Sequence, residues 1–347
     1  MTTLLLIAAL ASDEYRTALY LWDRETDEVE LVVAEPEDGA AFVRDLSWSP
    51  DGQTLVFSAG TDVTANWTAT PGCRLFAVDA AAGPSGVSLS SVRRLGLGAR
   101  PRHGPDGRML FVRWEGETPR VWAGDPAGRA EAVADGAAGE WLGGGPGVAV
   151  FDRMPGAQSV VVVDRRGQSP PLALGGDVLD AAAAGIELFL CRLRADDALS
   201  GTIERSPLIW RGGEEPPEAE WREAARTAPC AGGGFVSVTI DGRLLVATRG
   251  EFRGEDTAYR VAAVAGRPAG VVSDPGGPRE LLSTPPGVPI GRYAAAPGGR
   301  LAAFTSNLFY AGPKAAAGGR PLEASDLIVP RWGSPDAPEP LADGMVR

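Results

Sequence analysis

The sequence predicts an all-β repeat fold, and three features carry that prediction. Short apolar runs alternate with turns along the whole chain, which has 46 Gly and 29 Pro among its 347 residues. A Gly-centred turn followed by an apolar strand recurs at a spacing of about 40 to 55 residues, as stacked or circular repeats do. A second recurring unit, an apolar strand ending in a polar turn, supplies an independent count. Many short strands of even spacing joined by turns argue for one large β domain rather than several mixed ones.

The first unit is clearest in residues 43–60, VRDLSWSPDGQTLVFSAG. Strands are expected over Val43–Trp48 and Thr54–Ser58, joined by Pro50-Asp51-Gly52. Pro presets φ for the first central position of such a turn, Asp hydrogen-bonds its own backbone, and Gly accepts positive φ. Relatives of this hairpin stand at 104–114, 144–154, 240–250 and 297–307, with a weaker one at 183–193. The second unit occurs seven times, at 19–28, 75–83, 120–128, 160–167, 207–213, 259–266 and 327–333. Asp23, Asp79, Asp125 and Asp164 hold one place in it, where an Asp can cap the turn that follows.

A further short strand follows, for example at 29–34, 92–97, 130–134 and 279–283, so each unit reads as four antiparallel strands, A to D. The expected architecture is a seven-bladed β-propeller of four-stranded antiparallel blades, with six as the alternative count. One domain covers 1–347, in units of roughly 1–38, 39–98, 99–136, 137–177, 178–219, 220–287 and 288–347.

LSWSPDGQTLVFSAG, PDGRMLFVRW and PGGRLAAFTSN resemble the TolB-like, WD-repeat-like family of propeller repeats, whose signature is WSPDG…LAF. The resemblance implies that the Trp packs between blades and that Pro-Asp-Gly forms the A–B turn. It implies a fold and no function. Propellers of this kind also form the front domain of prolyl-oligopeptidase-like enzymes. No GxSxG elbow is present here, since Ser85 in GPSGV lacks the final Gly, so the triad of such enzymes is not implied.

The formal net charge of −12 argues against nucleic acid or an anionic membrane surface as partner, because either needs a basic field to release counterions. No apolar run approaches the roughly 18 residues of a membrane span. Lys314 is the only lysine, which reads first as coding bias and second as a use of Arg for bidentate recognition. Cys73, Cys191 and Cys230 show no metal or disulfide spacing, so buried thiols in a cytoplasmic protein are expected. The alternative is export, with MTTLLLIAALAS as a signal peptide ending near Ala9-Leu10-Ala11. Against it, no Lys or Arg precedes the apolar run, and residues 4–11 fit as strand B of the first unit. That unit then lacks strand A. Either residues 344–347 supply it, or an inner edge stays open to a partner's strand.

Two long B–C segments, 60–72 and 307–325, carry Asp62 and Trp67, and Asn307, Phe309 and Tyr310. Two charged ones carry Arg192 and Arg194, and Phe252 and Arg253. Aromatics beside arginines on loops serve as protein-recognition anchors. The expected function is a non-enzymatic scaffold that binds another protein through the loop-rich face. The alternative is a channel-mouth small-ligand binder or a metal-assisted hydrolase, lactonase-like. A third reading is an accessory domain that docks a peptidase.

For a metal, Asp45, Glu140, Asp177 and Asp180 would offer oxygen ligands from inner strands, although Arg44, Arg102 and Arg292 lie at comparable places. No cofactor is expected: a P-loop is absent, and the Gly-rich run 143–147 opens a strand rather than a helix. His103, the only histidine, precedes an A–B turn on the face away from the long loops, a poor position for catalysis.

Overall fold

The computed structural model describes residues 17–26, 28–33, 42–60, 71–83, 86–104, 106–143, 147–193, 201–227, 236–238, 245–253, 256–265, 279–283, 290–297 and 300–307. Every regular element among them is a strand. β1 (Thr17–Asp23) and β2 (Glu28–Val33) form the first hairpin. β3 (Phe42–Trp48), β4 (Thr54–Gly60) and β5 (Arg74–Gly83) follow, and β6 (Gly86–Leu89) and β7 (Arg93–Leu97) both pair with β5. β8 (Ala99–His103), β9 (Met109–Glu115), β10 (Thr118–Gly124) and β11 (Ala130–Asp135) make a simple antiparallel meander.

The next sheet runs through β12 (Ala138–Leu142), β13 (Gly147–Phe151), β14 (Ala157–Asp164), the short β15 (Gly167–Gln168) and β16 (Leu172–Ala184). β16 does two jobs. Leu172 and Ala173 pair with β14, whereas Asp180–Ala184 pair with β17 (Glu187–Leu193). The change of partner falls near Gly175, whose φ of 70° no β-branched or bulky residue adopts without strain. β18 (Gly201–Ile209), β19 (Glu218–Ala219) and β20 (Arg222–Thr227) complete that unit. β21 (Val236–Val238), β22 (Leu245–Arg253), β23 (Asp256–Ala265) and β24 (Arg279–Ser283) make another, and β25 (Ile290–Ala295) and β26 (Leu301–Asn307) end the described chain.

The fold is a β-propeller. Six inner strands meet around one axis: β25, β3, β8, β12, β16 and β21 each touch the next, and β21 touches β25. Blades bury their faces against one another. Leu19 and Leu21 pack with Leu46, Phe57 and Phe76, while Val112 and Val121 pack with Val148 and Val150. Burial falls outward, from the largely buried β12 to the mostly exposed β7, as a radial stack of sheets requires.

Among the described residues six inner strands ring the axis, and the two ends of the described chain meet in one sheet. β26 pairs along its whole length with β1, so β25-β26-β1-β2 is one blade built from both ends. The described strands of the units expected at 1–38 and 288–347 thus pair within one sheet. The strands expected at 327–333 and 340–342 lie outside the described residues. β26 lies beside β1, where 4–11 was expected, and residues 4–11 and 344–347 lie outside the described residues. Asp23, fully buried, accepts from Nε and Nη2 of Arg300 at 3.2 and 2.8 Å and locks the two halves together.

Most of the expected turn chemistry holds. Gly52 has φ 70°, its N–H donates to Ser49 O at 2.9 Å, and Asp51 accepts from the Gln53 N–H at 3.0 Å. Asp23, Asp125 and Asp164 each accept from the backbone N–H two residues on. Asp79 does not. β5 runs on through it to Gly83, and its carboxylate instead accepts from Thr54 Oγ1 and Arg93.

Candidate functional site

Charged residues converge on the axis because the inner strands are irregular there. The β3–β4 register shifts between Val43 and Leu46, the β8–β9 register between Ala99 and Arg102, the β16–β17 register between Val178 and Asp180, and the β25–β26 register between Ile290 and Arg292. Such bulges leave a residue out of the ladder and re-aim its side chain. Arg44, Asp45, Arg100 and Asp180 all sit at these shifts, and all are at least nine-tenths buried. Glu140, from the regular β12, joins them and is 7% exposed.

The contacts link five blades. Arg102 Nε donates to Glu140 Oε1 at 2.6 Å. Ser58 Oγ donates to Asp45 Oδ2 at 3.1 Å. Three further ion pairs among the described residues are longer: Arg292 Nε lies 3.5 Å from Asp45 Oδ1, Arg292 Nη1 lies 3.8 Å from Asp180 Oδ2, and Arg100 Nη1 lies 3.8 Å from Asp180 Oδ1. Charge-assisted hydrogen bonds normally close to about 2.7–2.9 Å.

Arg100 is the most constrained member. It is 4% exposed, its Nη2 donates to Met154 O at 3.1 Å, and its Nε finds no hydrogen-bond partner among the described residues. It is also the single described non-glycine residue with positive φ, at 51°. A left-handed backbone costs an L-residue about 1–2 kcal/mol. Strained residues persist where the surroundings over-determine them, and they cluster at ligand sites.

Electrostatics follow from this packing. Burial alone would raise the Asp45 carboxyl, but Arg100, Arg292, Arg102 and Arg44 hold it far below the usual carboxylate range. Burial pushes the Glu140 carboxyl up to about 7, although Arg102 stands beside it. Burial also lowers the Arg100 guanidinium, partly offset by Asp45 and Asp180.

The sequence-predicted residues divide sharply. Asp45, Glu140 and Asp180 do converge, each within reach of an arginine, while Asp177 lies on β16 with no described side chain. Among the described residues no three His, Cys, Asp or Glu side chains are placed to hold a metal ion. Asp62, Trp67, Arg194, Phe309 and Tyr310 lie outside the described residues. Phe252 and Arg253 end β22, and Asn307 ends β26.

Arg192 lies within β17 rather than beyond it. It is 8% exposed, donates from Nε to Glu204 at 3.0 Å and from Nη1 to Leu174 O, and stacks over Trp221, so it pins its own blade. Arg100 was missed as a site residue. Its signal is Pro101, a residue confined within sheets to edges and bulges.

His103 lies at the turn end of β8, as expected, but tied down. Its N–H donates to Ser47 Oγ at 2.9 Å and its Nδ1 stands 3.1 Å from the same oxygen. Burial lowers its pKa to about 4. Cys73 and Cys191 are buried, and neither forms a disulfide among the described residues.

No family model matches the chain, and no curated protein matches it. Among solved structures, TolB from Acinetobacter baumannii is 12% identical, with a TM-score of 0.44 over 88% of this chain. The chain spans 64% of that TolB, less than two thirds of its length. A gluconolactonase from Xanthomonas campestris is 13% identical over 86% of this chain and 92% of its own, with a TM-score of 0.44. A periplasmic gluconolactonase from Pseudomonas aeruginosa is 16% identical over 89% and 95%, with a TM-score of 0.40. At such identities no substrate or partner carries over. The described chain is a β-propeller with a buried charge cluster on its axis.

Proposed function

We propose that the protein binds a small ligand at the mouth of its axial channel, on the charge cluster. The observation that carries this reading is Arg100: buried, left-handed in backbone and unpartnered at Nε. Buried polar groups are almost always satisfied, so an exception at the convergence of several blades marks a place for an external partner. The long Arg100–Asp180 contact, 3.8 Å between Nη1 and Oδ1, supports the same reading, because a ligand or water beside Arg100 would complete the hydrogen bonding of its guanidinium.

The end of the propeller involved is the loop-rich one. Phe42 opposes Gly60, Val178 opposes Arg192 and Ile290 opposes Ser306, so the strands leading into the long loops finish beside the cluster. A thermal-shift screen of the purified protein against a small-molecule library tests the reading. Midpoint rises confined to ligands that Arg100→Gln abolishes would support it. A library that shifts nothing, with crystals showing only protein contacts around Arg100, would overturn it.

The second reading is docking of another protein at this same end, favoured by Asn307 and Arg253 finishing β26 and β22 there. Co-purification of a partner that is lost when Trp67, Phe309 and Tyr310 are replaced together by Ala would support it. No partner recovered after crosslinking in the native host would sink it.

A further inference from the structure

Resting on the channel-mouth reading, we infer that Glu140 is the proton-transferring group of that site, one carboxyl oxygen fixed by Arg102 and the other left for the ligand beside Arg100. Arg102 Nε donates to Glu140 Oε1 at 2.6 Å, while its Nη1 donates to Pro101 O at 3.0 Å. An arginine–carboxylate pair that serves structure frequently closes through two parallel hydrogen bonds. Here a single bond forms, and Oε2 accepts from no donor among the described residues. The Glu140 side chain is only 9% exposed, yet Oε2 keeps contact with solvent. One oxygen is therefore held still and the other stays within reach of a ligand.

The surroundings suit proton transfer. The charges acting on Glu140 come from Arg100 and Arg102 on β8 and from Asp180 on β16. Of the other strands packed against β12, β13 has no charged residue. The charged residues of β9 are engaged elsewhere, Arg113 at Leu97 O and Pro126 O, and Glu115 at Arg120. Burial outweighs the arginines, so the carboxyl is neutral and ionised in comparable parts near pH 7. A general acid or base works best when its pKa lies near the working pH.

Acting as acid, Glu140 gives up the proton on Oε2. That O–H bond breaks, a bond to hydrogen forms at an acceptor atom of the ligand, and Arg102 receives the carboxylate left behind. Water returns the proton. Arg100 Nε, a buried donor without a partner, would hold the same ligand by an acceptor atom. A carbonyl compound meets both demands: its oxygen accepts from Arg100 and takes the proton from Glu140.

The first test needs no ligand. The whole protein, carrying carbon-13 in its glutamate side-chain carboxyls, is titrated by NMR, and Glu140→Gln identifies the resonance. A midpoint near 7 is expected, against 4.5 for an ordinary glutamate. In parallel, a small diazoacetamide, which esterifies carboxylic acids with loss of dinitrogen and spares carboxylates, should label Glu140 at neutral pH. Peptide mass spectrometry locates the ester, so this arm stands even where Glu140→Gln fails to fold. A midpoint in the ordinary range overturns the inference. A raised midpoint with Glu140 unlabelled in the folded protein does so too, because the carboxyl would then be sealed and structural. A thermal-shift ligand whose affinity keeps the same pH dependence in Glu140→Gln removes Glu140 from the chemistry while the channel-mouth reading stands. Labelling of Glu140 with no ligand found would instead sink that reading.

Discussion

The two ends of the inner strands are built on opposite principles. At the A–B turn end, three of the inner strands, β3, β8 and β12, are tied to the blade before them by a ring N–H or its substitute. The Trp48 indole donates to Ala294 O at 3.0 Å, and the Trp141 indole donates to Arg102 O at 3.0 Å. His103 fills the corresponding place in β8 and meets Ser47 of the preceding blade. Turns at this end satisfy their own backbone. At the loop end the inner strands bulge, bury charge and hold Arg100 in a strained backbone. The turn end is built for stability, and the loop end gives some of it up, as sites for external partners do.

The largest effect that can break this comparison is expected from Trp48→Ala. Trp48 is 3% exposed, packs with Leu46, Leu55 and Phe57, and carries the inter-blade hydrogen bond. Truncating a buried Trp costs about 3–5 kcal/mol. The denaturation midpoint should drop accordingly, while any ligand-induced shift at Arg100 survives. Loss of that shift together with stability would mean that the two ends are not separable.

A smaller loss is expected at the seam between the chain halves. Asp23→Ala removes the carboxylate that receives Arg300, worth about 1–3 kcal/mol for charged hydrogen bonds. Burial opposes ionisation of Asp23, but Arg300 and the Glu25 N–H hold its carboxyl below 3.8. A lowered folded pKa stabilises above the unfolded value and is lost as pH falls through the folded one. The variant should therefore be less stable at neutral pH and lose part of the parent's acid slope below about pH 4. Equal acid slopes in parent and variant would show that Asp23 is no latch.

The pH dependence contrasts the two ends directly. Glu140 titrates near 7 folded against 4.5 unfolded, so its folded form holds the proton longer and stability falls as pH rises through that window. His103 titrates near 4 folded against 6.5 unfolded, so it loses stability as pH falls through its own window. Between about pH 4.5 and 6.5 the slopes oppose and partly cancel. Glu140→Gln should leave stability rising with pH there, and His103→Gln should leave it falling. Thermal melts across the window decide the matter: two variants with parallel curves would refute both assignments.

How much was legible in the sequence follows the same division. The turn end was read well, because Pro-Asp-Gly and the Trp before it are local signals whose physics is complete within a few residues. Asp51, Gly52 and Trp48 sit as expected. The loop end was read in part. Asp45, Glu140 and Asp180 were singled out, but a bulge depends on a neighbouring strand's register, which no local pattern states, so Arg100 was passed over. The burial of Arg192 was not legible for a related reason: its partner Glu204 lies across a strand pair. The pairing of first and last units was also illegible locally, since β1 finds β26 only when the ring closes.

The smallest effect sharpens the view of the turn end as packed rather than merely turned. Gly52 and Gly107 occupy equivalent Pro-Asp-Gly turns with φ of 70° and 80°. A Cβ at Gly52 would stand 3.3 Å from Pro297 Cδ, in the turn of the preceding blade, whereas one at Gly107 meets nothing within 4 Å. Both Ala substitutions incur the left-handed cost of about 1–2 kcal/mol, and Gly52→Ala alone adds a tight contact. The difference between the two destabilisations therefore measures how firmly adjacent turns press together. If Gly107→Ala proves as damaging as Gly52→Ala, the turns are independent, and the stability of that end resides in the ring N–H contacts and the apolar faces alone.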